Sequence, residues 1–445
     1  MAEIFPFRAL HYHPEKVGDL SRVITQPYDK ITAEMQARYY DLSPYNLARV
    51  IRGRQTAGDT PHDNVYSRAA RDFREWVENR VLVSELEPAL YPYYQEYSLP
   101  GQPSARKERR GFIALCRLED YAAGVVHRHE ETLSGPKADR LELLKATRAH
   151  FGQLFMLYSD PAGSVESALA AQTKDKAWES VRDEYDCRHS VWRVTHSATH
   201  ARVVEAMRDK KLVIADGHHR YETALAYRDL CRSQGLPESR AEYVMMTFVR
   251  KETEGLTVLP THRVVHNLEG FDWQRLRSAA GRFLDWEEAK ARGTASGWGP
   301  AFLGRLTEAG RERPTLGAYA GQGRLALLRL RSGLDLASAL PDVFAGLRDL
   351  DVVILHRLLL EQVLGVDRQA VREEKNLSYV REFDDAVGRV DERRGEIAFL
   401  LNPTPVEAVW GNAIAGHALP QKSTDFYPKL LSGLAIYWLD NPAGM

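Results

Sequence analysis

Apolar and polar positions alternate along the chain with two different periods. Tyr66, Ala69, Ala70, Phe73, Trp76 and Val77 recur every three or four residues, which predicts a helix over 65–80 with one buried face. Leu141, Leu144 and Ala146 predict a second amphipathic helix over 138–150, leading into the strand-like "GQLFMLYSD" at 152–160. "IFPFRALHY" alternates weakly like one strand, and "VITQPYDKI" reads as extended because Gln26 precedes Pro27. "LYPYYQEYSL" and "GFIALCRL" are β-prone and flank "PGQPSARKERR", which predicts a long hairpin with a solvated basic tip. Residues 289–314, rich in Gly, Ala and Arg and poor in periodicity, are expected to form a loop-bearing connection, with a boundary near 285. "LDVVILHRLLLEQVLG" reads as a buried helix closed by a glycine, and "GEIAFLLNPTP" as a strand stopped by Pro403.

These elements imply an α+β or mixed α/β fold. Three regions are expected: 1–160, 161–285 and 286–445. The central one holds the stretch densest in chemistry, "LVIADGHHRYETALAYRD" at 212–229. Leu212 to Ala215 form the continuous apolar run of a strand buried on both faces. Tyr221, Ala224, Tyr227 and Cys231 mark one side of a following helix, which Gly235 and Pro237 should end. A strand, a glycine turn and a helix in this order aim backbone N–H groups and the positive end of the helix dipole at the strand's exit, where anions bind. Gly217 permits close approach of a ligand. Arg220 offers a forked pair to phosphate or carboxylate oxygens, and His218 and His219 each can donate to an oxygen or take a proton. Asp216 can cap the helix, act as a base or hold a metal ion.

Composition narrows the classes. The chain has 445 residues, 44% hydrophobic and 27% charged, as a folded protein of two or three domains would. Lys plus Arg number 60 against 61 Asp plus Glu, so no global field favours nucleic acid. Cys116, Cys187 and Cys231 show no paired spacing, which argues against a disulfide framework and against a thiolate zinc site. The N-terminus lacks a leader pattern and no stretch approaches about 20 apolar residues, so a cytoplasmic protein is expected.

Other clusters offer partners for the 216–220 turn. "VVHRHEETLSGPKADRL" at 125–141 holds His127, His129, Glu130, Glu131, Lys137, Asp139 and Arg140. If extended, it points His127, His129 and Glu131 to one side and Arg128 and Glu130 to the other. Either glutamate could serve as general base or magnesium ligand, and Lys137 and Arg140 could neutralise phosphate. Tyr28 and Asn46, in the turn-type "PYD" and "SPYN", and His129 are candidate substrate contacts. Lys422 of "LPQKSTDFYPKL" is a candidate phosphate contact, without the glycine pattern of a P-loop. "PTHRVVHN" at 260–267 fits a half-buried strand. No HExxH or GxSxG pattern is present.

"QPYD", "SPYN", "RHEETLSGPKADRL", "ADGHHRYETALAY" and "LPQKSTDFYPKLLSG", in this order from about residue 4 to 435, resemble the domain-of-unknown-function 1015 family of bacteria and archaea. The shorter "DGHHR" element is similar to the phosphate-binding box of the ParB and sulfiredoxin superfamily, some of whose members are free-serine kinases. That second resemblance implies a nucleotide-binding core with α+β elaborations, ATP or ADP as phosphate donor, and serine as an acceptor. The expected function is a nucleotide-dependent phosphotransferase acting on a small hydroxylated metabolite. Gly217, His218, His219 and Arg220, with Lys137 and Lys422, would hold phosphate; Asp216, Glu130 or His218 would be catalytic; Asp216 and Glu130 would hold Mg2+. A metal-assisted phosphohydrolase and a non-enzymatic nucleotide-gated regulator are the alternatives.

Overall fold

Leu212, Val213 and Ile214 have no solvent exposure, because the strand they form, Leu212–Asp216, has neighbours on both sides. The computed structural model describes residues 1–131, 135–235, 239–291, 293–442 and 444. Two compact units divide the chain: Met1–Arg128, Thr132–Thr257 and Pro428–Met445 form the first, His129–Glu131 and Val258–Tyr427 the second. Position 285 falls inside the strand Leu284–Lys290 of the second unit. Helices and strands mix throughout both, so the fold is α+β.

The first unit is built on a mixed sheet whose order is Val126–His127, Leu212–Asp216, Leu154–Tyr158, Tyr243–Arg250, Gln102–Arg117, Tyr91–Leu99, Arg188–Val191 and Glu179–Arg182, with Ile4–Phe5 also on Gln102–Arg117. Leu212–Asp216 runs parallel to Val126–His127 and antiparallel to Leu154–Tyr158. Ile214 pairs with Met156 and Asp216 with Phe155, so Ala215 is an extra residue, a bulge at the strand's exit. Met156, Ile214, Phe248 and Tyr221, all at 0% exposure, meet in the core beneath the helix His218–Ser233.

Most expected elements are present. The helix over 65–80 is Val65–Glu78, burying Ala69, Ala70, Phe73 and Trp76, and the one over 138–150 is Gly135–Thr147. "IFPFRALHY", expected as one strand, splits into Ile4–Phe5 and Leu10–Tyr12, which pair in different sheets. Tyr28–Lys30, expected as extended, closes into one 3-10 turn after Pro27. The basic tip is not a loop either: Gln102–Arg117 is a single strand, because the main chain of Arg106 to Arg110 pairs with Tyr94 to Ser98 whatever its exposed side chains prefer. Cys116, Cys187 and Cys231 are buried, and none forms a disulfide among the described residues. No helix among the described residues is long and apolar enough to cross a membrane. Pro237 and Thr132 to Ser134 of the "RHEET" motif lie outside the described residues.

The second unit carries an antiparallel sheet in the order Leu284–Lys290, Arg324–Leu330, Thr315–Tyr319, Ile397–Leu400, His262–Val265 and Leu377–Val380. Its central strands, Thr315–Tyr319, Ile397–Leu400 and His262–Val265, are buried on both faces: Val265, Leu316 and Phe399 face one core, Val264, Tyr319 and Leu400 the other. Here the expectation of a connection at 289–314 is overturned, since Ala295–Glu312 is a helix. Its glycines pack rather than break: a Cβ on Gly299 would meet Phe383 at 2.3 Å, and one on Gly310 would meet Asn402 at 2.5 Å. Phe302 and Leu306 supply the buried side, and those contacts outweigh the weak propensity of Gly and Pro300. Residue 292 of that stretch is outside the described residues.

Candidate functional site

The bulge at Ala215 delivers Asp216 to the sheet edge, and Gly217 then turns the chain into the helix His218–Ser233. Gly217 has φ 97°, a left-handed conformation that side chains resist, and it is itself the N-cap. Asp216 therefore does not cap the helix. The first intrahelical bond runs from Tyr221 N–H to Gly217 C=O at 3.0 Å, so the amides of His218 to Arg220 belong to the first turn and have no carbonyl within the helix to bond. Tyr221, fully buried, anchors that turn by donating its hydroxyl to the Glu119 carbonyl at 2.5 Å. His218 is buried, and His219 and Arg220 are half-buried.

Two bare glycines seat the Arg220 guanidinium. A Cβ on Gly217 would stand 3.0 Å from Nη2, and one on Gly152 would stand 3.2 Å from Nη1. In that slot Arg220 donates through Nη1 to the Gln153 carbonyl at 2.5 Å and through Nη2 to Asp216 Oδ2 at 3.1 Å. The other carboxylate oxygen of Asp216 lies 3.6 Å from Lys429 Nζ. Lys429 is set in place by its own backbone, since Gln95 Nε2 donates to its carbonyl at 2.9 Å and the buried Arg109 bonds the carbonyl of Pro428. Burial pushes the Asp216 carboxyl up, but Lys429, Arg220 and Lys30, joined by His218 when its ring is protonated, hold it well below the usual carboxylate range. A carboxylate so stabilised is a poor proton acceptor at neutral pH. With its oxygens facing Arg220 and Lys429, it suits the orienting of cations better than the binding of magnesium.

Beside the guanidinium lies a cavity of about 70 Å³ lined by Tyr28, Arg140, Gly152, Arg220, Thr223 and Ser432. It has room for a small anion. The Arg140 guanidinium lies 4.1 Å over the Tyr28 ring, so one wall is both aromatic and cationic. Thr223, at 4% exposure, has a hydroxyl with no hydrogen-bond partner among the described residues. A second cavity of about 270 Å³ shares Ile51, Arg140 and Leu143 and continues along Gln36, Tyr66 and Asp139. Lys137, on Gly135–Thr147, forms an ion pair with Glu222 of the helix His218–Ser233.

The remaining sequence candidates have other surroundings. Asn46 is fully buried and spends its amide on the Arg22 carbonyl (2.8 Å) and the Ala48 N–H (3.0 Å), a turn-stabilising role. The alternation expected for 127–131 does not hold. In the second unit His129 and Glu130 converge on Thr424: His129 Nε2 is 2.7 Å from its hydroxyl, and Glu130 Oε1 accepts its backbone N–H at 3.0 Å. Glu131 turns to Arg372 at the surface, and His127, in the first unit, bonds the Gly124 carbonyl. Lys422 is exposed in the second unit, while the lysine of the same motif that reaches Asp216 is Lys429. Sequence reasoning missed Lys429 and Lys30; the only available sign was their place in the quoted "LPQKSTDFYPKL" and beside "QPYD". His262–Val265, expected to be half-buried, is fully buried, with Arg263 at 1% exposure.

The family described as "Protein of unknown function (DUF1015)" matches residues 4–353. No curated protein matches the chain. Among solved structures, a conserved hypothetical protein from Pyrococcus furiosus is similar at 11% identity and a TM-score of 0.37, covering 74% of this chain and 96% of its own. A free serine kinase in complex with AMP is similar at 11% identity and a TM-score of 0.37, covering 72% and 92%. SbnI with a C-terminal truncation, from Staphylococcus aureus, is similar at 9% identity and a TM-score of 0.35, covering 74% and 90%.

Proposed function

The chain belongs to the DUF1015 family, and we propose that it is a nucleotide-dependent phosphotransferase acting on a small hydroxylated metabolite, with phosphate held at the 216–220 turn. One observation carries this reading. Arg220, Lys429 and Lys30 act on a single carboxylate, Asp216, at the first turn of a helix, beside a cavity with a Thr223 hydroxyl that has no hydrogen-bond partner among the described residues. Arg220, Lys429 and Lys30 each hold the Asp216 carboxyl down, and the N-terminal end of the helix dipole adds to this positive field.

In this reading the amides of His218 and His219 and the Arg220 guanidinium bind the terminal phosphate, and Arg140 and Tyr28 flank it. The acceptor hydroxyl oxygen forms a bond to phosphorus as the phosphorus–oxygen bond to the departing nucleotide breaks. The hydroxyl proton passes to His218, since Asp216 is too weak a base. Asp216 fixes the guanidinium, so catalysis rests on positioning and charge. Magnesium would come with the nucleotide phosphates. Serine is the first acceptor to try.

Phosphorus NMR with ATP or ADP, magnesium and a panel of hydroxylated amino acids tests the proposal. Transfer to an acceptor is expected, with ADP affinity reduced at least tenfold in Arg220→Ala. Phosphate release without transfer would replace the proposal with a hydrolase, and equal nucleotide affinity in Arg220→Ala would remove the phosphate site altogether.

A further inference from the structure

The turn joining the strands Glu179–Arg182 and Arg188–Val191 carries "DEYDCRH" at 183–189, which the phosphate site does not use. Asp183, Cys187 and His189 each present one ligand-type atom, and these atoms lie within 4.8 Å of one another. The side chains of Asp183 and His189 are 4% and 0% exposed, and Cys187 is fully buried. Local geometry makes the cluster. Asp183 Oδ1 accepts the N–H groups of Tyr185 and Cys187, both at 2.9 Å, which folds the turn. Cys187 and His189, two apart at the start of a strand, then share a face.

Asp183 closing a turn and accepting from His189 Nε2 at 3.3 Å would by itself explain two of these residues. Two observations reach further. The other imidazole nitrogen, Nδ1, is held at 2.6 Å by the Tyr93 hydroxyl, and Gln26 Nε2 donates to Asp183 Oδ2 at 3.1 Å, the kind of outer contacts that orient metal ligands. Moreover, the hydroxyl of Thr25, a residue 2% exposed, has no hydrogen-bond partner among the described residues. Thr25 and Asp183 line one cavity of about 290 Å³, which reaches the cluster at Asp183.

We infer that Asp183, Cys187 and His189 bind a zinc-class divalent cation, with a fourth position open toward the cavity and the Thr25 hydroxyl. A mixed sulfur, nitrogen and oxygen donor set suits zinc and its neighbours and not magnesium. On binding, the Cys187 thiol gives its proton to solvent. His189 moves its ring proton to Nδ1, toward Tyr93, giving up the 3.4 Å contact from Gln95 Nε2, and offers the Nε2 lone pair; Asp183 exchanges its contact with His189 for one with the ion. The two negative ligands then match the charge of the cation, so the buried group is neutral as a whole. Donor distances of about 2.0–2.3 Å require the three atoms to draw in by on the order of an ångström. This site is independent of the phosphate reading.

The test is a cobalt titration of the whole, chelator-stripped protein, followed by ultraviolet–visible absorption. One equivalent is expected to give a thiolate-to-cobalt charge-transfer band that zinc displaces, that Cys187→Ser removes and that Cys231→Ser leaves in place. No such band in the wild-type protein, or its persistence in Cys187→Ser, overturns the inference. Should Cys187→Ser fail to fold, loss of the band in His189→Gln with an unchanged near-ultraviolet dichroism spectrum supports the site, and retention of the band overturns it.

Discussion

Arg220 Nη2, in the first turn of the helix, donates at 3.1 Å to Oδ2 of Asp216, the last residue of the strand, and the same guanidinium reaches the Gln153 carbonyl through its other arm. Asp216 is thereby an orienting group for Arg220. Asp216→Asn keeps an acceptor for Nη2 and should lower turnover less than about tenfold, whereas loss of a general base costs about 10²–10⁴-fold. A steady-state rate comparison of the two proteins decides, and a loss in that upper range would return the base role to Asp216.

Lys429→Met removes the cation 3.6 Å from Asp216. The Asp216 carboxyl should then titrate at higher pH than in the wild type, because the largest charge holding it down is gone. Carbon-13 NMR of the labelled carboxyl reads the shift directly. An unmoved titration would mean that Arg220 and Lys30 suffice.

Gly217→Ala places a Cβ 2.9 Å from Leu154 Cδ2 at a backbone φ of 97°. Strain of this kind costs about 1–3 kcal/mol, so the urea midpoint should fall. Nucleotide affinity should fall with it, because the same Cβ crowds the guanidinium. A midpoint equal to that of the wild type would show that the turn relaxes freely.

His11 sets a pH dependence distant from this chemistry. Its ring nitrogens lie 3.1 Å from Glu85 and 3.7 Å from Glu179. Burial lowers its pKa, but the two glutamates outweigh that and raise it from 6.5 to about 9. A folded-state value above the unfolded one means that the pair stabilises fully below about pH 6.5 and that this contribution disappears as pH rises through about 9. The contribution is on the order of 3 kcal/mol at most. Thermal midpoints between pH 6 and 10 should decline in the wild type and less so in His11→Gln; parallel curves would rule the pair out.

Local signals carried the strand–glycine–helix element and the helix Val65–Glu78, because their apolar spacing and their burial agree. The helix Ala295–Glu312 was hidden because its glycines answer to neighbours more than 80 residues away, Phe383 and Asn402, which no window of sequence contains. Gly217 and Arg220 were legible as the turn and first helical residues at the strand's exit. Lys429 was not, since its approach to Asp216 depends on Gln95 and Arg109 holding a segment more than 300 residues along the chain. The alternation assumed for 127–131 failed because Thr424 captures two consecutive side chains, His129 and Glu130, which a regular strand would have sent to opposite sides.

Ala215 makes the length of its segment as restrictive as its composition. Along an extended chain each added residue reverses the direction of the next side chain, and each removed residue rotates a following helix by about 100°. A version of the protein shortened by one alanine there would keep every charged group and nearly all its hydrophobicity, yet its aspartate would face the wrong way and its arginine would miss its slot. Insertions and deletions should therefore be rarer between 212 and 220 than conservative replacements.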